Sequence, residues 1–210
     1  MTRTPTRTRR PVQSLIDELR AEADRDRPAE RRPDVGVVMG SDSDLETMYG
    51  AYEALTRLGF EEVTDYDDAP AGRSFETYVL SAHRTPDLMY AYAETARERG
   101  LDVLIAGAGG KSADLPNMTA SIAYPVPVIG VPVQNKSVDS VIGMPTGAPI
   151  TAVDAGKSFN AALSAVQVLA RKHPDLEERL LDYRDELRAG VAEVSRGIHE
   201  SGTERFRDRQ

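Results

Sequence analysis

The chain contains no cysteine and no tryptophan in its 210 residues. The first absence removes disulfides, thiol nucleophiles and cysteine-based metal sites from its chemistry. No apolar run approaches the roughly 20 residues that span a bilayer, so no membrane partner is expected. Histidine is scarce, with three residues, and lysine stands only at positions 111, 136, 157 and 172. Positive charge is in deficit: 26 Lys and Arg face 34 Asp and Glu, a formal net charge of −8. That balance argues against nonspecific nucleic-acid binding, because nothing offsets phosphate repulsion across the whole molecule. The Arg-rich start MTRTPTRTRR has no apolar stretch behind it and does not read as a secretory signal, which makes a cytoplasmic protein the default expectation.

What remains is the composition of a soluble globular domain, 40% apolar and 29% charged. The length allows one domain of ordinary size with a buried core. Residues 1–33 read as an extension in which Val12, Leu15, Ile16 and Leu19 recur at helical spacing. Such a helix is expected as a solvated or subunit-contacting arm. From Asp34 the pattern changes. DVGVVMG, TYVLSA, LDVLIAGAGG, VPVIGVPV and APITAV are short apolar runs that predict buried parallel strands. Between them, LETMYGAYEALTRLGF, PDLMYAYAETARERG and KSFNAALSAVQVLARKH have helical periodicity. The acidic TDYDDAPAGRSFE predicts turns. Residues 173–210 read as an amphipathic helical tail, with His173 capping carbonyls at a helix end. The alternation predicts an α/β fold for residues 34–172, a three-layer α/β/α sandwich around a mostly parallel, flavodoxin-like or Rossmann-like sheet.

Ligands of open α/β sheets bind at the carboxyl ends of strands. Three loops follow strands and precede helices here: Gly40 to Asp44, Ser81 to Pro86, and Gly107 to Ser112. In GSDSD, Ser41 and Ser43 can donate to phosphate oxygens at a helix N-terminus, while Asp44 suits ribose hydroxyls. The same residues also serve as ordinary helix caps, and both readings stand. GAGGKS fails the phosphate-loop pattern, since Ile105 occupies the position five before Gly110, and fails G-x-G-x-x-G, since Ser112 replaces the third glycine. It remains a backbone able to approach a ligand closely. In SAHRTP, His83 can exchange protons near neutral pH and Arg84 offers a fixed fork to an anion. Taken alone, His83 could equally close a strand.

Taken together, VVMGSDSDL, SAHRTPD, IAGAGG, YPVPVIGVPV and MPTGAPITAV followed by NAALSAVQVLA occur in one order over about residues 34–170. That combination resembles the N5-carboxyaminoimidazole ribonucleotide mutases and the related aminoimidazole ribonucleotide carboxylases of purine biosynthesis. The resemblance implies that His83 is the catalytic proton shuttle. Ser41, Ser43, Asp44, Ser81, Ala82 and Arg84 would bind the nucleotide and its phosphate. Ala108, Gly109 and Gly110 would close over the carboxylate and imidazole, with Lys111 and Ser112 also in the substrate site.

It further implies a ribonucleotide substrate, carbon dioxide as the trapped fragment, no metal or organic cofactor, and a homo-octamer or related assembly with shared sites. One departure is plain. The usual bacterial mutase has GGAAHLPGM where this chain has GGKSADLPNM, so Ala113 or Asp114 stands where a second histidine is expected. GKS is similar to the GRS of animal-type carboxylases, which take carbon dioxide directly, whereas SAHRTP differs from their SAHKGP. The direct carboxylase and a noncatalytic nucleotide-binding module are therefore the rival expectations.

Overall fold

The computed structural model describes residues 10–209; the first nine residues of the extension and Gln210 lie outside the described residues. After α1 (Arg10–Ala23) come β1 (Val35–Met39), α2 (Leu45–Arg57), β2 (Glu61–Glu62), β3 (Ser74–Val79), α3 (Pro86–Glu94) and β4 (Val103–Ala108). The second half contains α4 (Leu115–Ile122), β5 (Val128–Pro132), α5 (Val138–Ile142), β6 (Thr151–Ala152), α6 (Ser158–Ala170), α7 (Pro174–Ser201) and α8 (Thr203–Arg207). The six strands form one sheet in the order β2-β3-β1-β4-β5-β6, and every pairing is parallel. No helix among the described residues is long and apolar enough to cross a membrane.

The strand sequences account for the layering. Parallel sheets are covered on both faces, so their strands are apolar throughout rather than alternating. All five residues of β1 and all six of β4 are buried. Successive side chains still point to opposite faces. Val35, Val37 and Met39 of β1 join Val103 and Ile105 of β4 against α2 and α6. Val38, Leu104 and Ala106 face the other way, against α3 and α4. Gly36 allows close packing there, since a Cβ would strike the Tyr92 hydroxyl and the Leu104 side chain. On the same face, α1 lays Ile16 and Leu19 into the core, 4% and 1% exposed, beside α3. The three-layer α/β/α sandwich is the fold the sequence predicts.

Several elements differ from the sequence reading. β3 begins at Ser74, within the stretch predicted as turns, because Ser74, Phe75 and Glu76 are all buried. β2 is an edge strand of two exposed glutamates that pairs only with β3, too short and too polar to announce itself. α3 stops at Glu94 instead of running to Gly100. His173 does not cap carbonyls with its ring. The turn between α6 and α7 is closed by main-chain donors, Lys172 N–H to Leu169 O at 3.0 Å and His173 N–H to Ala170 O at 3.4 Å.

A charged residue in a central strand needs a partner. The Glu76 carboxylate meets the Arg99 guanidinium, the two side chains being 1% and 0% exposed. Arg99 also donates to Thr95 Oγ1 and to Tyr92 O, each at 3.1 Å, and to Tyr66 Oη at 3.0 Å. Its guanidinium lies 4.4 Å from the Tyr92 ring centroid. Burial alone would lower the Arg99 pKa, but the Glu76 charge and the tyrosines around it outweigh that and hold it above the ordinary value. The Tyr66 hydroxyl, pushed upward mainly by burial and then by Glu76, stays protonated and donates to Glu76. Removing one member of a buried pair leaves the other uncompensated, at a cost of about 3–5 kcal/mol. Glu76→Ala is therefore expected to destabilise the fold by about that amount, read as a lowered urea midpoint; an unchanged midpoint would show Arg99 to be otherwise satisfied.

Candidate functional site

The three loops singled out by sequence converge at the carboxyl edge of the sheet. β1 pairs β3 and β4 in one register, Met39 opposite Val79 and Gly107. The residues that leave these strands therefore stand side by side. Main-chain bonds extend the alignment past the strand ends, Gly40 N–H to Gly107 O at 3.0 Å and Leu80 N–H to Met39 O at 2.8 Å. Chain direction across the sheet reverses here, from β1 to β3 on one side and to β4 on the other, which makes this the topological switch point. A cleft of about 430 Å³ opens there.

The first loop contributes Ser41, Ser43 and Asp44 to the lining. Ser41 Oγ accepts from Ser43 N–H at 3.4 Å and donates to Asp42 Oδ1 at 2.9 Å, so its hydroxyl caps the short 3-10 turn Asp42–Asp44. The Ser41 hydroxyl and the Ser43 N–H hold the exposed Asp42 carboxyl below its ordinary value. Asp44 precedes α2 yet makes no side-chain cap bond. It is 6% exposed, and its carboxylate lies against Gly109 of the third loop, Oδ1 standing 3.0 Å from where a Cβ on that glycine would sit. Burial raises its pKa above the ordinary 3.8, with the main-chain donors and Arg84 pulling partly the other way.

The second loop supplies Ser81, Ala82, His83 and Arg84. Ser81 Oγ accepts from Arg84 N–H at 3.1 Å and from Arg84 Nε at 3.3 Å, and Arg84 Nη2 reaches Gly40 O at 3.3 Å. The guanidinium is thus folded across the first loop, with its remaining donors free for an anion. The third loop brings Ala108, Gly109, Gly110 and Ser112. Gly110 has φ +84°, a left-handed conformation that favours glycine. Gly107, near the end of β4, has no room for a Cβ because Met48 packs onto it. Lys111 is exposed and lies outside the lining.

The sequence reading missed Gln134 and Lys136, which follow β5 and line the cleft beside Leu115. β5 is the next parallel strand, paired to β4, so the rule that selected three loops selects this fourth one too. Asp114, where a histidine was expected, places Oδ2 3.0 Å from His83 Nε2. The cleft therefore holds two fixed cations, Arg84 and Lys136, a buried carboxyl and an imidazole. It can anchor an anion, pair with hydroxyls and move a proton.

Fold and cleft define the class: an open parallel α/β protein with a polar ligand cleft at its switch point. A family profile described as AIR carboxylase matches residues 34–190. The chain is 39% identical over 181 residues to the N5-carboxyaminoimidazole ribonucleotide mutase of Pyrococcus horikoshii, covering 83% of this chain and 94% of that one. It is 46% identical over 171 residues to the mutase of Mycobacterium tuberculosis, covering 79% and 90%. The crystal structure of Treponema denticola PurE has the same fold, with a TM-score of 0.62 at 20% identity over 81% of this chain and 99% of that one. The chain belongs to the AIR carboxylase family.

The raised pKa of Asp44 has a sign for stability. The folded chain holds that proton to higher pH than the unfolded chain, so burying the charged form costs stability above the ordinary carboxylate range, and the cost disappears as pH falls below about 4. Asp44→Asn is expected to melt higher than the parent at pH 7, with the two melting curves converging below about pH 4. A variant that melts lower at pH 7 would mean the carboxylate is net stabilising.

Proposed function

We propose that the chain is an N5-carboxyaminoimidazole ribonucleotide mutase of de novo purine biosynthesis, an isomerase that yields 4-carboxyaminoimidazole ribonucleotide. The observation that carries this reading is the meeting of His83, Arg84, Asp44 and the 108–110 backbone in one cleft, in a chain so similar to named mutases. Arg84, with Ser41, Ser43 and Ser81 around it, binds the phosphate. Asp44 pairs with ribose hydroxyls. Ala82 and the backbone of Ala108, Gly109 and Gly110 pack on the imidazole and its carboxylate, with Ser112 at the rim.

The chemistry balances on one proton. Protonated His83 gives its proton to the exocyclic nitrogen as the N–C bond of the carbamate breaks, leaving carbon dioxide and an amine. The ring carbon then attacks the carbon dioxide held beside it, a step that depends on proximity. Neutral His83 takes the proton displaced from that carbon and is restored, acting as acid and then base. The sum is an isomerisation that consumes nothing.

The Gly110-Lys111-Ser112 stretch favours a second reading, direct carboxylation of aminoimidazole ribonucleotide by carbon dioxide. Assaying the enzyme with each substrate separates the two: turnover of aminoimidazole ribonucleotide and carbon dioxide without the carbamate would sink the mutase reading. His83→Asn is expected to lower turnover about 10²- to 10⁴-fold while leaving nucleotide affinity unchanged. An unaltered rate would reject His83 as the proton shuttle, whereas a parent chain that binds the nucleotide and turns over neither substrate would be a noncatalytic binding module. In the same titration Arg84→Ala loses affinity for the nucleotide.

The enzyme works as a homo-oligomer in the cytoplasm, by our reading an octamer. Apolar side chains on α7 support association, with Leu187, Val191 and Val194 between 44% and 68% exposed in the single chain. Light scattering is expected to give a mass near eight times the 22.9 kDa chain; a monomer mass would overturn this.

A further inference from the structure

We propose that Asp114 is the positioning residue of this site, fixing the His83 ring so that Nδ1 exchanges the proton with the substrate. The inference rests on the reading of His83 as the proton shuttle.

Asp114 stands directly before α4, where an aspartate ordinarily caps the helix by accepting a main-chain N–H. Here it does not. Its backbone is helical, with φ −83° and ψ −13°, and its side chain makes no cap bond. The carboxylate is turned away from the helix and held at both ends. Oδ2 lies 3.0 Å from His83 Nε2, and Oδ1 accepts from Ser140 Oγ at 3.3 Å. Ser140 belongs to α5, so the connection after β5 braces the carboxylate that meets the loop after β3. Two anchors on a planar group fix its direction, and that direction fixes the plane of the imidazole.

The chemistry follows from donor and acceptor roles. An ionised carboxylate only accepts, so Nε2 facing it carries the hydrogen. The neutral ring is then the tautomer whose Nδ1 has the free lone pair, and in the imidazolium the transferable proton is the one on Nδ1. Asp114 therefore selects the nitrogen that acts as acid in the first half of the reaction and as base in the second. Stability does not account for the arrangement. The His83 and Asp114 side chains are 62% and 42% exposed, and pairs that open to water contribute little to folding. The helix meanwhile forgoes its cap.

The test uses the full-length enzyme with the carbamate substrate. Asp114→Asn offers His83 either a donor or an acceptor, so the tautomer preference weakens. Its kcat is expected to fall on the order of 10²-fold, with KM for the nucleotide within about twofold of the parent. Asp114→Glu restores part of the loss. Only three histidines are present, so 15N-histidine labelling gives three ring systems. One of them, assigned by its disappearance in His83→Asn, is expected as the Nε2–H form in the parent and as a mixture in Asp114→Asn. An unchanged kcat, a loss confined to KM, or an unchanged His83 tautomer would each overturn the inference. A loss confined to KM would make Asp114 a direct substrate ligand. Failure of the underlying reading looks different, because it would leave His83→Asn itself active.

Discussion

Parallel pairing at β1 is the constraint on which the molecule depends. A parallel sheet gives all its strands one direction, so every loop that leaves a carboxyl end emerges on the same edge. β1 lies between β3 and β4 with its register locked on both sides. A slip of one residue would turn Val35, Val37 and Met39 from the α2 and α6 layer to the opposite one. It would also separate Gly40 from Gly107, and Asp44 from Gly109. The hydrophobic pattern that buries the strand and the geometry that aligns the cleft are one requirement.

Two kinds of polar group sit close to that sheet, and their surroundings set them apart. Glu76 and Arg99 are enclosed and fully answered by each other, by tyrosines and by main-chain oxygens, so they serve the fold. Arg84, Lys136 and His83 stand at the open edge with donors left over. Asp44 belongs to both groups, since it ties two loops together while burial disfavours its charge. That carboxyl trades stability for position, as groups at functional sites commonly do.

The sequence made the fold legible where burial is continuous. Runs such as Val35–Met39 and Val103–Ala108 are apolar because both faces are covered, and a short apolar run between two helical patterns fits a buried parallel strand. It failed where a strand departs from that rule. Glu76 disguised the start of β3, since its partner Arg99 is 23 residues away and no periodicity links them. β2 is two exposed glutamates. At the cleft, the three loops were legible because each follows a strand. Gln134 and Lys136 were overlooked although the same rule applies to β5. The contact between Asp114 and His83 could not be read from spacing, because it depends on how the side chain before α4 turns.

The order of the strands also bears on how the chain reaches its native state. β1 is made early, but its two neighbours arrive with residues 74–79 and 103–108, and the last wall of the cleft comes with residues 134–136. Contacts this distant along the chain form slowly, because loop closure must precede the gain from pairing. The complete cleft needs all four loops, which are spread over residues 40–136. Affinity for the nucleotide is then a property of the assembled sheet alone, and a ligand bound only by the folded state shifts the folding equilibrium toward it by mass action.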